Sequence, residues 1–146
     1  QLDGAGSPER GSVILDMKRI TCNDLTDTDS NRSLIRHLSH SDFFETEAYP
    51  TASFELDSLR FIEGAQPGLP NAIATGRMTL RGVTQPIELK ATLERIDSGM
   101  VFQTQFDLDR TRFGALYGSG RFFERLGMHL VNDLASVQVT AFFDFP

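Results

Sequence analysis

The chain has 146 residues, enough for one domain with its own core and too few for two ordinary ones. Its formal charge of −6 and pI near 5.0 set a field that repels phosphate backbones, so no nucleic acid is expected as a partner. One cysteine excludes an internal disulfide, and twelve Phe with two Tyr and no Trp supply bulk without polar handles.

Residues 1–11, rich in Gly and Pro, read as a flexible N-terminal segment, and 12–146 as the folded domain. Val13, Leu15 and Met17 alternate with Ile14, Asp16 and Lys18, which predicts a first strand ending near Ile20. The polar stretch Asp24 to Asn31 offers N-caps for a short helix carrying Leu34, Ile35 and Leu38 at helical spacing and ending near His40. After Pro50, Ala52, Phe54 and Leu56 share one face of a strand. Leu59 and Phe61 have the opposite parity, which predicts a β-bulge at Asp57 or Ser58.

Gly64 to Pro70 is a turn. Ala74, Gly76, Met78 and Leu80 then form one face of the next strand, and Arg81-Gly82 makes a tight reversal. Ile87, Leu89, Ala91 and Leu93 oppose Glu88, Lys90, Thr92 and Glu94 in the following strand, and Asp97-Ser98-Gly99 marks a hairpin. Met100, Phe102, Thr104, Phe106 and Leu108 alternate with Val101, Gln103, Gln105 and Asp107. Residues 109–133 interleave glycines with Phe113, Tyr117, Phe122 and Phe123, the composition of a functional connection or of a lid over one end. The last strand, Leu134 to Phe145, sets Ala135, Val137, Val139, Ala141 and Phe143 on one side. Such strands in series make a mostly β, antiparallel barrel whose interior is either packed or holds an apolar guest.

Three segments resemble the YceI-like lipid-binding family. They are Leu38 to Phe54, with Ser41-Asp42-Phe43-Phe44 and Tyr49-Pro50; Gly76-Arg77-Met78-Thr79-Leu80-Arg81-Gly82-Val83-Thr84 followed by Pro86-Ile87; and Asp109-Arg110-Thr111-Arg112-Phe113-Gly114. The resemblance runs from about Ser12 to the C-terminus. It implies a lipocalin-like eight-stranded barrel with a short helix over one end, a bound polyisoprenoid, quinone-like or fatty-acyl lipid, a periplasmic or secreted location, and pairing as a homodimer in many members. The family carries about two strands ahead of the matched segment, where this chain has only residues 1–11. The barrel is therefore expected to be incomplete, excised from a longer parent, or completed by a second chain.

Wall residues for such a ligand are Leu15, Met17, Phe54, Met78, Leu89, Leu93, Phe102, Phe106, Val137 and Val139. The same residues would serve equally to fill a packed core, and the alternation alone favours that reading. Tyr49 and Arg110, each inside a matched motif, are placed near a head group. The structural alternative pairs Arg110 with Asp107 or Asp109 to pin the turn.

No catalytic residue, resident cofactor or metal is expected. His37 and His40 stand at i, i+3 on the helix but lack a third convergent ligand. Gly118-Ser119-Gly120 lacks the strand–turn–helix setting of a nucleophile elbow. Arg110, Arg112, Arg121 and Arg125 lie among Asp107, Asp109 and Glu124, which is a mixed solvated face. The expected function is a non-catalytic lipid carrier. The alternative is a packed, non-catalytic interaction or stress-response module whose Phe122-Phe123 loop and open edge dock a partner or a second copy.

Overall fold

The computed structural model describes residues 10–124 and 127–144. Six strands form one antiparallel meander: β1 (Gly11–Asp16), β2 (Thr51–Phe61), β3 (Ala72–Leu80), β4 (Val83–Ile96), β5 (Gly99–Asp109) and β6 (Leu134–Asp144), each hydrogen-bonded to the next in chain order. The predicted flexible segment lies almost wholly outside the described residues, as does Phe145. The first strand stops at Asp16 rather than near Ile20, because the Asp16 carboxylate accepts the Lys18 N–H and turns Met17–Arg19 into a 3₁₀ turn.

The α-helix α1 (Thr28–Ser39) starts where the Asp27 carboxylate accepts the Ser30 N–H at 2.8 Å. Asn31 anchors the entering loop by donating to the carbonyls of Cys22 and Leu25. The parity slip in β2 is a bulge: Leu56 pairs with Gly76 and Ser58 with Thr75, leaving Asp57 as the extra residue.

The sheet curls because β4 changes partners along its length. Val83 to Ala91 pair with β3, whereas Ala91 to Ile96 pair with β5, so only Ala91 is shared between the two ladders. A long strand that passes from one ladder to another makes a corner, and the β5–β6 ladder turns away from β1–β2–β3. Gln105 to Asp109 of β5 pair only with β6, so the first half of β4 and the second half of β5 meet through side chains, Val83 packing with Phe106 and Leu108, rather than through a ladder.

At the curled sheet's closed end, Ala52, Leu80, Leu108 and Phe113 form a buried cluster with Met17, Phe44, Val83 and Phe106 packed around it. Among the described residues β1 and β6 do not pair and lie at the two edges of the sheet, which is a half-barrel of six strands where eight were expected.

Candidate functional site

An apolar trough runs along the concave face. Its walls come from all six strands: Val13 and Leu15 of β1, Ala52, Ser53 and Phe54 of β2, Met78 of β3, Ile87 and Leu89 of β4, Phe102, Thr104 and Phe106 of β5, and Val137 and Val139 of β6. The two hydroxyl-bearing residues add little polarity. Thr104 Oγ1 donates to the Lys90 carbonyl at 2.8 Å, and so is already satisfied.

The period-two spelling of each strand puts these side chains on one face. Val13 stands opposite Phe54, Phe54 opposite Met78, and Phe106 opposite Val137. The enclosed part measures about 80 Å³. Pockets that bury a whole small-molecule ligand usually hold roughly 300–1,000 Å³.

Phe54 floors the trough because residue 76 has no side chain. A Cβ on Gly76 would lie 2.6 Å from the Phe54 Cζ and 2.2 Å from the Glu55 carbonyl oxygen. The close approach explains a glycine in the middle of a strand.

Of the twelve residues expected to touch a ligand, the structure brings together eight: Leu15, Phe54, Met78, Leu89, Phe102, Phe106, Val137 and Val139. Val13, Ala52, Ser53, Ile87 and Thr104 join them. Val13, Ala52, Ile87 and Thr104 share the sequence parity of the wall residues on their strands, and their smaller bulk is what hides them in the pattern. Met17 instead packs against the closed-end cluster, since the chain leaves β1 one residue earlier. Leu93 is buried but lies on β4 outside the trough lining.

Tyr49 and Arg110, the residues expected near a head group, do not line the trough. The Tyr49 ring covers the tight turn at Gly82, where a Cβ would lie 2.5 Å from it. Arg110 is 3% exposed and donates from Nε to the Asn132 carbonyl at 2.9 Å and from Nη2 to the Val131 carbonyl at 3.0 Å. Its Nη1 donates to the Ala115 carbonyl, its guanidinium stacks 5.3 Å from the centre of the Phe43 ring, and Asp133 stands 3.5 Å away. Burial draws its pKa down from the ordinary guanidinium value, opposed by the Asp133 and Asp109 charges. Arg110 thus pins the 109–133 connection, with Asp133 in place of the expected Asp107 or Asp109.

The three motif segments meet at this closed end. Arg81 donates from Nη1 to the Gly114 carbonyl and from Nη2 to the Ser41 carbonyl at 2.7 Å, and it pairs with Glu45 at 3.1 Å. One side chain therefore joins the β3–β4 turn to both other motifs. Arg81 itself has a φ of 51°, a left-handed conformation that costs a non-glycine residue about 1–2 kcal/mol. His37, Phe43 and Tyr117 stack nearby, with the His37 and Tyr117 ring centres 4.5 Å apart. A second cleft of about 630 Å³, lined by Asp42, Arg81, Tyr117, Phe123 and His129 among others, shares no residue with the trough.

A curled antiparallel sheet with an apolar concave face and one capped end defines a binding-type barrel of lipocalin-like build. The chain belongs to the YceI-like domain family, whose model matches residues 2–143. It is 30% identical over 88 residues to the UPF0312 protein of Pseudomonas putida F1, and 32% identical to that of Pseudomonas syringae pv. tomato DC3000. Each match covers 60% of this chain and 41% of the relative, so the region aligned is about two fifths of the relative's length.

Among solved structures, Burkholderia cenocepacia BcnA superposes with a TM-score of 0.69 at 18% identity, over 96% of this chain and 78% of that one. A Campylobacter jejuni YceI protein superposes with a TM-score of 0.65 at 17% identity, over 92% of this chain and 71% of that one. These similarities show a shared fold.

Proposed function

We propose that this chain is the ligand-bearing wall of a carrier protein. It sequesters a long apolar molecule, of the polyisoprenoid, quinone-like or fatty-acyl class, and does no chemistry on it. The observation that carries this reading is the convergence of apolar side chains from six separate strands on one trough whose other end is capped. Each buried methylene contributes about 0.8 kcal/mol, so ten of them supply about 8 kcal/mol without a polar anchor. The enclosed 80 Å³ takes only part of such a chain. The rest lies along the trough toward the unpaired β1 and β6 edges.

That small volume also favours a second reading, a packed module that docks a partner or another copy through its free edges or through the exposed Phe122 and Phe123. Organic extraction of the purified protein followed by mass spectrometry separates the two. A lipid recovered at about one per chain supports the carrier. A clean extract, and no uptake of a fluorescent fatty acid, supports the packed module.

A further inference from the structure

One end of the trough is shared with the buried cluster behind it. Ala52 belongs to that cluster and lines the trough, while Met78, Phe106 and Val137 line the trough and pack against the cluster. These four stand on β2, β3, β5 and β6, so both arms of the curled sheet wall this end. Behind them Leu80 and Phe113 are 3% exposed and Leu108 7%, a packed interior that closes the way to a chain. Phe113 is fixed from its own 3₁₀ turn, Arg110–Phe113, in which Arg110 donates to the carbonyls of Ala115, Val131 and Asn132.

Polarity decides which part of a guest reaches this end. The side chains of Ala52, Met78, Phe106 and Val137 carry no hydrogen-bond donor, and the Thr104 hydroxyl further along already donates to the Lys90 carbonyl. Behind the wall, Arg110 and Arg81 spend their Nη groups on backbone carbonyls and face Asp133 and Glu45. A carboxylate pushed to this end would lose its water and gain no partner, which is strongly unfavourable. A hydrocarbon terminus gains by leaving water. The wall therefore suits the methyl end of a tail, with the head in water beyond Leu89, Phe102 and Val139.

We propose that Met78, Phe106 and Val137 are the stop of the trough: the tail of a single-chain amphiphile abuts them methyl end first, and their bulk sets the chain length held best. This rests on the carrier reading. With the head kept in water, a stop moved back admits more carbons of a long tail and gains a short one nothing. Each methylene newly covered raises affinity about fourfold, so a change of a few atoms at the stop alters which homologue is preferred.

Two measurements test it. In the wild-type protein, hexadecanoate isotope-labelled at its terminal methyl should show NMR cross-relaxation to the Met78 and Val137 methyls, and hexadecanoate labelled beside its carboxylate should show none. Contacts from the carboxylate end, or from neither end of the bound acid, overturn the stop. Met78→Ala should raise the affinity ratio of hexadecanoate to decanoate about tenfold, and Val137→Phe should lower it by a similar factor. Leu89→Ala, at the far end of the trough, should weaken both acids alike. A ratio that stays put in either folded stop variant overturns the proposal while the carrier reading stands. The wild-type cross-relaxation decides the matter where a variant does not fold. A wild-type protein that takes up neither acid ends both.

Discussion

The ring of Phe54 and the bare backbone of Gly76 fit face to face on neighbouring strands, and the depth of the trough depends on that fit. Gly76→Ala should lower stability by about 1–3 kcal/mol, the usual cost of forcing atoms into a filled site. Both the Phe54 ring and the Glu55 carbonyl stand in the way. Adding Phe54→Ala to Gly76→Ala frees the ring but not the carbonyl, so thermal unfolding of the double variant should show no full recovery.

The face assignment has a paired test on β5. Phe106→Asp puts a carboxylate into the trough, whereas Gln105→Asp, one residue away, puts it in water. Retention of a bound lipid through purification should be lost in the first and kept in the second. Equal behaviour would show that the concave face is not the ligand side.

Asn71 acts as an extra strand residue built from a side chain. It accepts the Leu93 N–H at 2.8 Å and donates to the Leu93 carbonyl at 3.0 Å, extending the β3–β4 ladder just ahead of the first residue of β3. Asn71→Ala should cost about 1–3 kcal/mol for the two lost bonds. Amide hydrogen exchange at Leu93 should quicken with it.

Arg110 carries structure rather than ligand. Arg110→Lys keeps the charge but loses the planar fork that reaches three carbonyls, and should cost about 3 kcal/mol in denaturant unfolding.

The Thr111 hydroxyl and N–H, with the Arg121 guanidinium, hold the Asp109 carboxyl below its ordinary range, the hydroxyl bond being the largest cause. A carboxylate whose folded pKa is depressed adds stability that is fully present above the unfolded value near about 3.9. That stability is lost as pH falls through the folded value. Chemical unfolding between pH 6 and pH 3 should therefore show an acid-sensitive loss that Asp109→Asn flattens. A variant with an unchanged acid limb would remove Asp109 from the clasp.

Much of the fold was legible because β-strands write their faces in period two. The β2 bulge, the Arg81-Gly82 and Asp97-Ser98-Gly99 turns, and the Asp27-capped helix were all spelled locally. Eight wall residues were legible for the same reason. The roles of Tyr49 and Arg110 were not, since their partners, Gly82 for the one and Asn132, Val131 and Phe43 for the other, come from distant parts of the chain. A motif arginine looks the same in sequence whether it greets a ligand or fastens a loop.

The amino-acid order by itself determined which side chains share a face and where the chain reverses. It could do so because alternation, turn chemistry and capping act over a few residues. Only the tertiary structure decided that β4 trades one partner for another at Ala91, that the motifs lock together through Arg81, and that the sheet stops short of closing between β1 and β6. Those outcomes depend on ladder competition and on contacts between residues far apart in the chain, which no local pattern encodes.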